Sequence, residues 1–480
     1  MATAIFPPAF FLHKLPACLL TGMVLTALPA QAQQVSISLD TIEHSTFNAR
    51  DVHVDFDIFH PGEADIVVAE LRMGDTRLSD LKLHCNRFQL DAKKISCGDG
   101  TLRRGKRPPL SFTLEYRFDN GKLGLTLLDA EVAGWSTLIK RLRRWHPVGR
   151  FDLRLTADRE QAKVDFAVRD LGFNTDDFSV AAEGIVGNLS LTAQRAGKNW
   201  QWQTSAEWSG GEAFWSPWYR KAGVHLSAEG EMTPEQIRVD MARVTLDRLG
   251  SLTAGMTWNR KDAAISRWGF VTEPLDLSVA VKEWVQPMLD ARALPGISAS
   301  GTTRYAAEWT DGAMQSFYAG IENATFKEST GRLDLTEVNA SIPWSLHDET
   351  LAELSIGSGR LNDFPLGGFR LPVRLHGFDV AVSQVVIPFL DGRINIDDFH
   401  ATRPGETWTG RFAGGIKGVS MPRLTAAMSL PVMAGSMSMR IPEAEYSNHV
   451  LNLGGDMSID LFDGRIVVRH LKLIDPLSKT

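Results

Sequence analysis

The chain has 480 residues, 44% of them hydrophobic and 22% charged, with a formal net charge of -6. This composition excludes a disordered chain. Acidic and basic residues are mixed along the whole length, which gives no support for nucleic-acid binding. By length, about two to four domains are expected, and a long repeating sheet fits as well.

Residues 1–32 read as a secretory signal peptide. Lys14 precedes an apolar run, Leu15 to Leu28. That run is shorter than the roughly 20 residues that cross a bilayer. Ala30-Gln31-Ala32 then offers a cleavage site between Ala32 and Gln33. An uncleaved inner-membrane anchor is the alternative. No later stretch is long and apolar enough for a transmembrane helix.

From residue 33 to 132 the chain reads as a β region. Phe112, Leu114 and Tyr116 alternate with Thr113 and Glu115, and Leu123, Leu125 and Leu127 follow the turn Asp119-Asn120-Gly121. A strand has a side-chain period of two, so each such run has one apolar and one polar face. Cys85 and Cys97 flank a hairpin-like segment with a turn at Asp91-Ala92-Lys93-Lys94. In an exported protein this pair is expected to be a disulfide, with two buried thiols as the alternative. Without a paired histidine the two are a poor zinc site.

Residues 133–148 break the pattern. Trp135, Leu138, Leu142 and Trp145 follow helical spacing, and Lys140, Arg141, Arg143 and Arg144 lie on the other face. Trp135, Arg141, Arg144 and Trp145 therefore mark a helix that either lies on anionic headgroups or caps a sheet with its charges in water. Strands resume over 149–272. Leu153 and Leu155 alternate with Asp152 and Arg154, and Val164, Phe166 and Val168 with Lys163, Asp165 and Arg169. Residues 273–296 form a helical linker whose helix, Asp276 to Asp290, carries Leu277, Val281, Trp284, Val285, Met288 and Leu289 as its stripe. Pro287 is expected to kink or end it. Residues 297–480 return to strands. Phe389-Leu390-Asp391-Gly392-Arg393-Ile394 is echoed by Leu461-Phe462-Asp463-Gly464-Arg465-Ile466, with a looser copy at Thr330-Gly331-Arg332-Leu333-Asp334-Leu335. Asp-Gly reads as a hairpin turn because glycine accepts positive φ, and repeated turn-plus-strand units read as a stacking array, with coincidence as the alternative. The last strand, Leu471 to Ile474, has no cap before Asp475-Pro476, so the array is expected to continue or the chain to be a fragment.

No catalytic motif emerges. The 12 histidines include no H-E-x-x-H, and G-x-S-x-G, a P-loop and a dinucleotide fingerprint are absent. His53, Asp55 and Asp57 share a strand face, which reads better as the polar side of an amphipathic strand than as a metal site. Among the 13 tryptophans, Trp200, Trp202, Trp208, Trp215 and Trp218 cluster in sequence, as a platform for sugars or acyl chains or as ordinary packing.

The C-terminal third carries a resemblance. Ile387-Pro388-Phe389-Leu390-Asp391-Gly392, Met421-Pro422, the run from Pro431 to Ser438, Ile441 to Tyr446, Leu451 to Gly455 and Leu461 to Val468 look like the YdbH-like branch of the AsmA-like, TamB-related envelope proteins. The match covers about 373 to 480. The resemblance implies a long β-groove lined with apolar side chains that carries phospholipid between inner and outer membranes.

The resulting expectation is an all-β protein, an elongated repetitive antiparallel sheet curled into a hydrophobic groove, with two short amphipathic helices. Its expected place is the periplasm, with a tether to the inner membrane as an option. Its expected role is to bind or conduct phospholipid in support of outer-membrane integrity. Alternatives are a scaffolding module of envelope assembly with a self-filled core, and a carbohydrate-binding β protein. No enzymatic activity, cofactor, metal or nucleic acid is expected, and partners are phospholipids and membrane or envelope proteins. From alternation alone, the groove is expected to be lined by Phe112, Leu114, Tyr116, Leu123, Leu125, Leu127, Leu153, Leu155, Val164, Phe166 and Val168.

Overall fold

The computed structural model describes residues 34–43, 48–57, 62–73, 76–105, 108–135, 145–403, 405 and 407–474. The signal-peptide reading, with its Ala32–Gln33 bond, and the Arg141 and Arg144 face of the first helix lie outside them. The protein is all-β, with 73% of the described residues in strands and 6% in helices, so the period of two governs most of them. It folds as two units, Met1–Pro234 and Glu235–Thr480.

The first unit is a meander. Strands Leu110–Arg117, Leu123–Glu131, Val148–Ala157, Gln161–Asn174, Val180–Ala196 and Asn199–Trp215 pair antiparallel in sequence order. Short polar turns close the hairpins. Asp158 Oδ1 accepts the Glu160 and Gln161 amides at 2.8 Å each, and Gly197, at φ +66, makes the turn between Ala196 and Asn199. Cys85 and Cys97 are disulfide-bonded, with Cα atoms 5.8 Å apart, inside the span such bonds require. The bond sits in a small core with Ala64 and Phe88, against Phe56, Ile95, Phe112 and Leu114. The neighbouring turn is as read: Asp91 Oδ1 accepts the amides of Lys93 and Lys94 at 2.7 and 2.9 Å.

The second unit repeats the meander from Gln236–Leu246 to Lys472–Ile474. Its helix has Asp276 as N-cap, accepting from the Ser278 and Val279 amides, and runs Leu277–Ala280, Val281–Val285 and Gln286–Asp290. Pro287 does not end it. The proline lacks an N–H and its ring crowds the preceding turn, and the middle segment widens into a π-turn that makes room. Leu277 and Val281 bury against Ala324, Val338 and Ile356, whereas Trp284, Val285 and Met288 stay exposed, so only half of the expected stripe is a packing stripe.

A helix that sequence reading did not find, Met421–Ala427, joins the strands Thr409–Ser420 and Ser436–Ser447. Its signal was available: Pro422 stands in the first turn, where a missing N–H costs nothing. The expected Asp-Gly turns need a correction as well. The positive-φ positions are Leu390-Asp391 (φ 48 and 65) and Phe462-Asp463 (φ 50 and 60), one residue earlier than expected. Gly392 instead starts its strand, where a Cβ would meet the Lys417 carbonyl oxygen at 2.4 Å. The glycine permits strand approach, and burial of Leu390, 4% exposed, fixes the turn.

Candidate functional site

Strand register decides what the alternating residues build. Phe112 pairs with Leu127, Leu114 with Leu125, and Tyr116 with Leu123. Leu125 and Leu127 pair in turn with Leu155 and Leu153, which pair with Val164 and Phe166. Val168 stands opposite Phe151. Directly opposed residues of an antiparallel pair project to the same side. All eleven side chains named from alternation therefore share one face, stacked in rungs that continue through Leu189 and Leu191. The other face is polar: Thr113 pairs with Thr126, Thr126 with Arg154, and Arg154 with Asp165.

These side chains shield one another, with the disulfide core against Phe112 and Leu114 at one end, but none is fully buried. All eleven are half-buried. Among the described residues of both units, the largest side chains below 2% exposure are only Val419 and Thr303. A sheet packed under a second layer would bury its inner face far more deeply.

The face is bent by a recurrent device. Asp51, Asp80, Asp129, Asn323, Glu337, Gln384 and Gly418 have positive φ within strands or at their bends. Each is followed at once by a buried apolar residue: Val52, Leu81, Ala130, Ala324, Val338, Val385 and Val419. At several of these positions the pairing register slips, as between Leu127 and Ala130 or between Ile321 and Ala324. The slips beside Asp129, Asn323, Glu337 and Gly418 are β-bulges, which bend a strand and raise its twist, whereas the pairing keeps its register across Asp51, Asp80 and Gln384. The extra residue flips the phase, so Leu128 turns outward at 49% exposure while Ala130 turns in. Neighbouring side chains satisfy the loosened amides. Asp152 Oδ1 accepts from the Asp129 amide at 2.7 Å, and Asn339 Oδ1 from the Asn323 amide at 2.8 Å. Arg169 bonds both Asp129 and Asp152, at 3.1 and 3.0 Å, and Arg150 pairs with Asp129. Sequence reading missed this device. Its trace is the recurring acidic, amide or glycine residue set before Val, Leu or Ala where strict alternation breaks.

The second unit has a comparable face. Trp268 and Trp309 stack across paired strands, with ring centroids 3.9 Å apart and planes 2° apart. Val382, Phe399, Phe412, Ala444 and Leu453 form a rung. Here the helix Leu277–Asp290 covers part of the face.

The remaining sequence candidates fall elsewhere. Trp200, Trp202 and Trp208 are half-buried, while Trp215, 68% exposed, pairs with Trp218 past the far end of the same strand; the five do not make one platform. Trp135 ends a helical turn, Val132–Trp135, and Trp145 packs against Phe173 with centroids 5.2 Å apart. His53 and Asp55 are matched by hydroxyls of the neighbouring strand, Ser38 at 2.9 Å and Ser36 at 2.5 Å. Among the described residues no group of three His, Cys, Asp or Glu is placed to hold a metal. Nor is any helix there long and apolar enough to cross a membrane.

No protein-family model, curated protein or solved structure matches this chain. The functional reading rests on the geometry of the apolar face.

Proposed function

We propose that this chain is a β-groove protein of the envelope that binds or conducts phospholipids between inner and outer membranes, in the manner implied by its resemblance to the YdbH-like branch of the AsmA-like proteins. The observation that carries the reading is the rung-by-rung apolar face of the first unit, in register over five strands and half-buried throughout. Acyl chains lying along such a face gain about 0.8 kcal/mol per buried methylene, while headgroups remain in water. Apolar rungs offer no directional polar contact, so a bound chain can slide along them. The disulfide and the signal-like N-terminus accord with an oxidising compartment.

A second reading has one observation in its favour. Leu277 and Val281 already fill the face locally in the second unit, as a scaffolding module with a self-filled core would require throughout. Native mass spectrometry with lipid extraction, on protein prepared without detergent, separates the two. Phospholipid retained at one or more copies per chain is the expected result. A clean apo mass would overturn the lipid reading and leave the scaffold.

A further inference from the structure

The edge of the second unit that carries the turns Leu390-Asp391 and Phe462-Asp463 also carries the connection between the strands Thr409–Ser420 and Ser436–Ser447. That connection is the short helix Met421–Ala427 followed by a loop. In the loop Met428 is 53% exposed, Leu430 46%, Val432 74% and Met433 39%, and every residue from Met428 to Ser436 is exposed. No charged residue occurs between Arg423 and Arg440. Apolar side chains on an unconstrained loop would fold back onto the nearby sheet. Here the loop's backbone is tied at two points. The Leu430 amide donates to the Thr425 carbonyl oxygen at 2.8 Å, and the Met433 amide to Thr425 Oγ1 at 3.3 Å. Thr425 and Met421 are themselves buried, so the anchor is fixed in the fold. The backbone that presents these exposed side chains is thus partly ordered in advance, which lowers the cost of contact.

Charge gives the chemistry of what they meet. Arg393 and Lys417 stand directly opposite each other on adjacent strands, close to this loop. Like charges in that relation are destabilising. Among the described residues neither has an ion-pair partner, although cations on the same sheet, such as Arg411 and Arg465, do. On the same edge Arg423 is neutralised by Asp391 at 2.9 Å, and Asp463 sets one negative charge against the two cations, so the edge keeps a positive excess. An apolar tip beside that excess matches a lipid bilayer with anionic headgroups, in which the tip enters the acyl boundary and the cations meet phosphates.

We propose that the Met428–Met433 loop is a membrane-docking wedge, seated in the surface of a bilayer that contains anionic phospholipid. The proposal goes beyond carriage of lipid on the sheet, since the wedge touches a membrane and not a single extracted lipid. The test is flotation of the full chain with vesicles of phosphatidylethanolamine and phosphatidylglycerol, beside vesicles of phosphatidylcholine alone. The wild-type chain should float with the anionic vesicles, less so at high salt. Val432→Asp should lower the bound fraction about tenfold or more on both vesicles, and Val432→Leu should retain it. Arg393→Gln with Lys417→Gln should remove the preference for the anionic vesicles. Val432 is so exposed that neither replacement disturbs packing, which matching far-UV spectra would verify. Absence of wild-type flotation, or equal flotation of Val432→Asp, overturns the wedge. The lipid-carrying reading is tested separately: a chain that retains copurified phospholipid but does not float loses the wedge alone, and one that floats but retains none loses the groove alone.

Discussion

At the scale of single residues, polar side chains on the wet face settle into pairs with local consequences. His84 Nδ1 lies 2.8 Å from Asp65, and Nε2 lies 2.8 Å from Asn86. The hydrogen bond to Asp65 first, and that to Asn86 second, raise the His84 pKa above its ordinary value. A raised folded-state pKa gives stability that is complete below the unfolded value near 6.5 and is lost as pH rises through the folded value. The ring is 42% exposed, so the effect is screened and amounts to about 0.5 kcal/mol. The wild-type chain should therefore lose slightly more stability than His84→Gln as pH rises from below 6.5 through the raised folded value, read from parallel thermal melts. Identical pH slopes would show that the pair contributes nothing. Asp177 behaves in the opposite sense. The Thr175 hydroxyl, then the Ser179 amide and hydroxyl, hold its carboxyl down to about 2, so its turn loses support only as pH falls from the ordinary carboxylate range towards that value.

At the scale of elements, what was legible in the sequence and what was not divide along a physical line. Faces were legible, because alternation is a local property: Leu125 and Leu155 could be set on one side of their strands without knowing that they pair. Bulges were not, because an inserted residue reads as a lapse in pattern until the partner strand shows two residues facing one. The Asp-Gly turns were misplaced by one residue for a related reason. Turn propensity favours glycine at positive φ, but at Gly392 the contact with Lys417 and Gly418, from the next hairpin, outweighs it. This makes a sharp expectation. Gly392→Ala puts a methyl 2.4 Å from the Lys417 carbonyl oxygen, a contact that backbone on both sides must move to relieve. The loss should be about 2 kcal/mol or more by denaturant titration. Gly464→Ala, at the matching place in the echo, meets nothing nearer than 3.4 Å and should cost much less. Equal costs at the two sites would mean that the turn, not the strand approach, requires the glycine.

At the scale of the molecule, the question is why so much apolar surface is left without a covering layer. In a sandwich the second sheet supplies that layer, and in the second unit one helix supplies a portion of it. In the first unit, among the described residues, Leu125, Leu155, Val164 and Leu191 are shielded by one another, and the rung meets a buried cluster only at its Leu114 end, beside the disulfide. Bending at each bulge brings neighbouring rungs closer and lowers the cost of exposure, but cannot remove it. If acyl chains complete the face, charge should be tolerated on one side of the sheet and not on the other. Phe166→Asp and Leu125→Asp place a carboxylate among apolar rungs, where burying it against an acyl chain would cost several kcal/mol. Both should lose most copurified phospholipid. Thr113→Asp and Thr126→Asp, on the polar face of the same strands, should retain it. Neither Phe166 nor Leu125 is fully buried, so the replaced chains should still fold, which far-UV spectra and an intact Cys85–Cys97 bond would verify. Loss of lipid from all four variants alike would point to unfolding or to binding elsewhere, and retention by all four would assign the lipid to another surface.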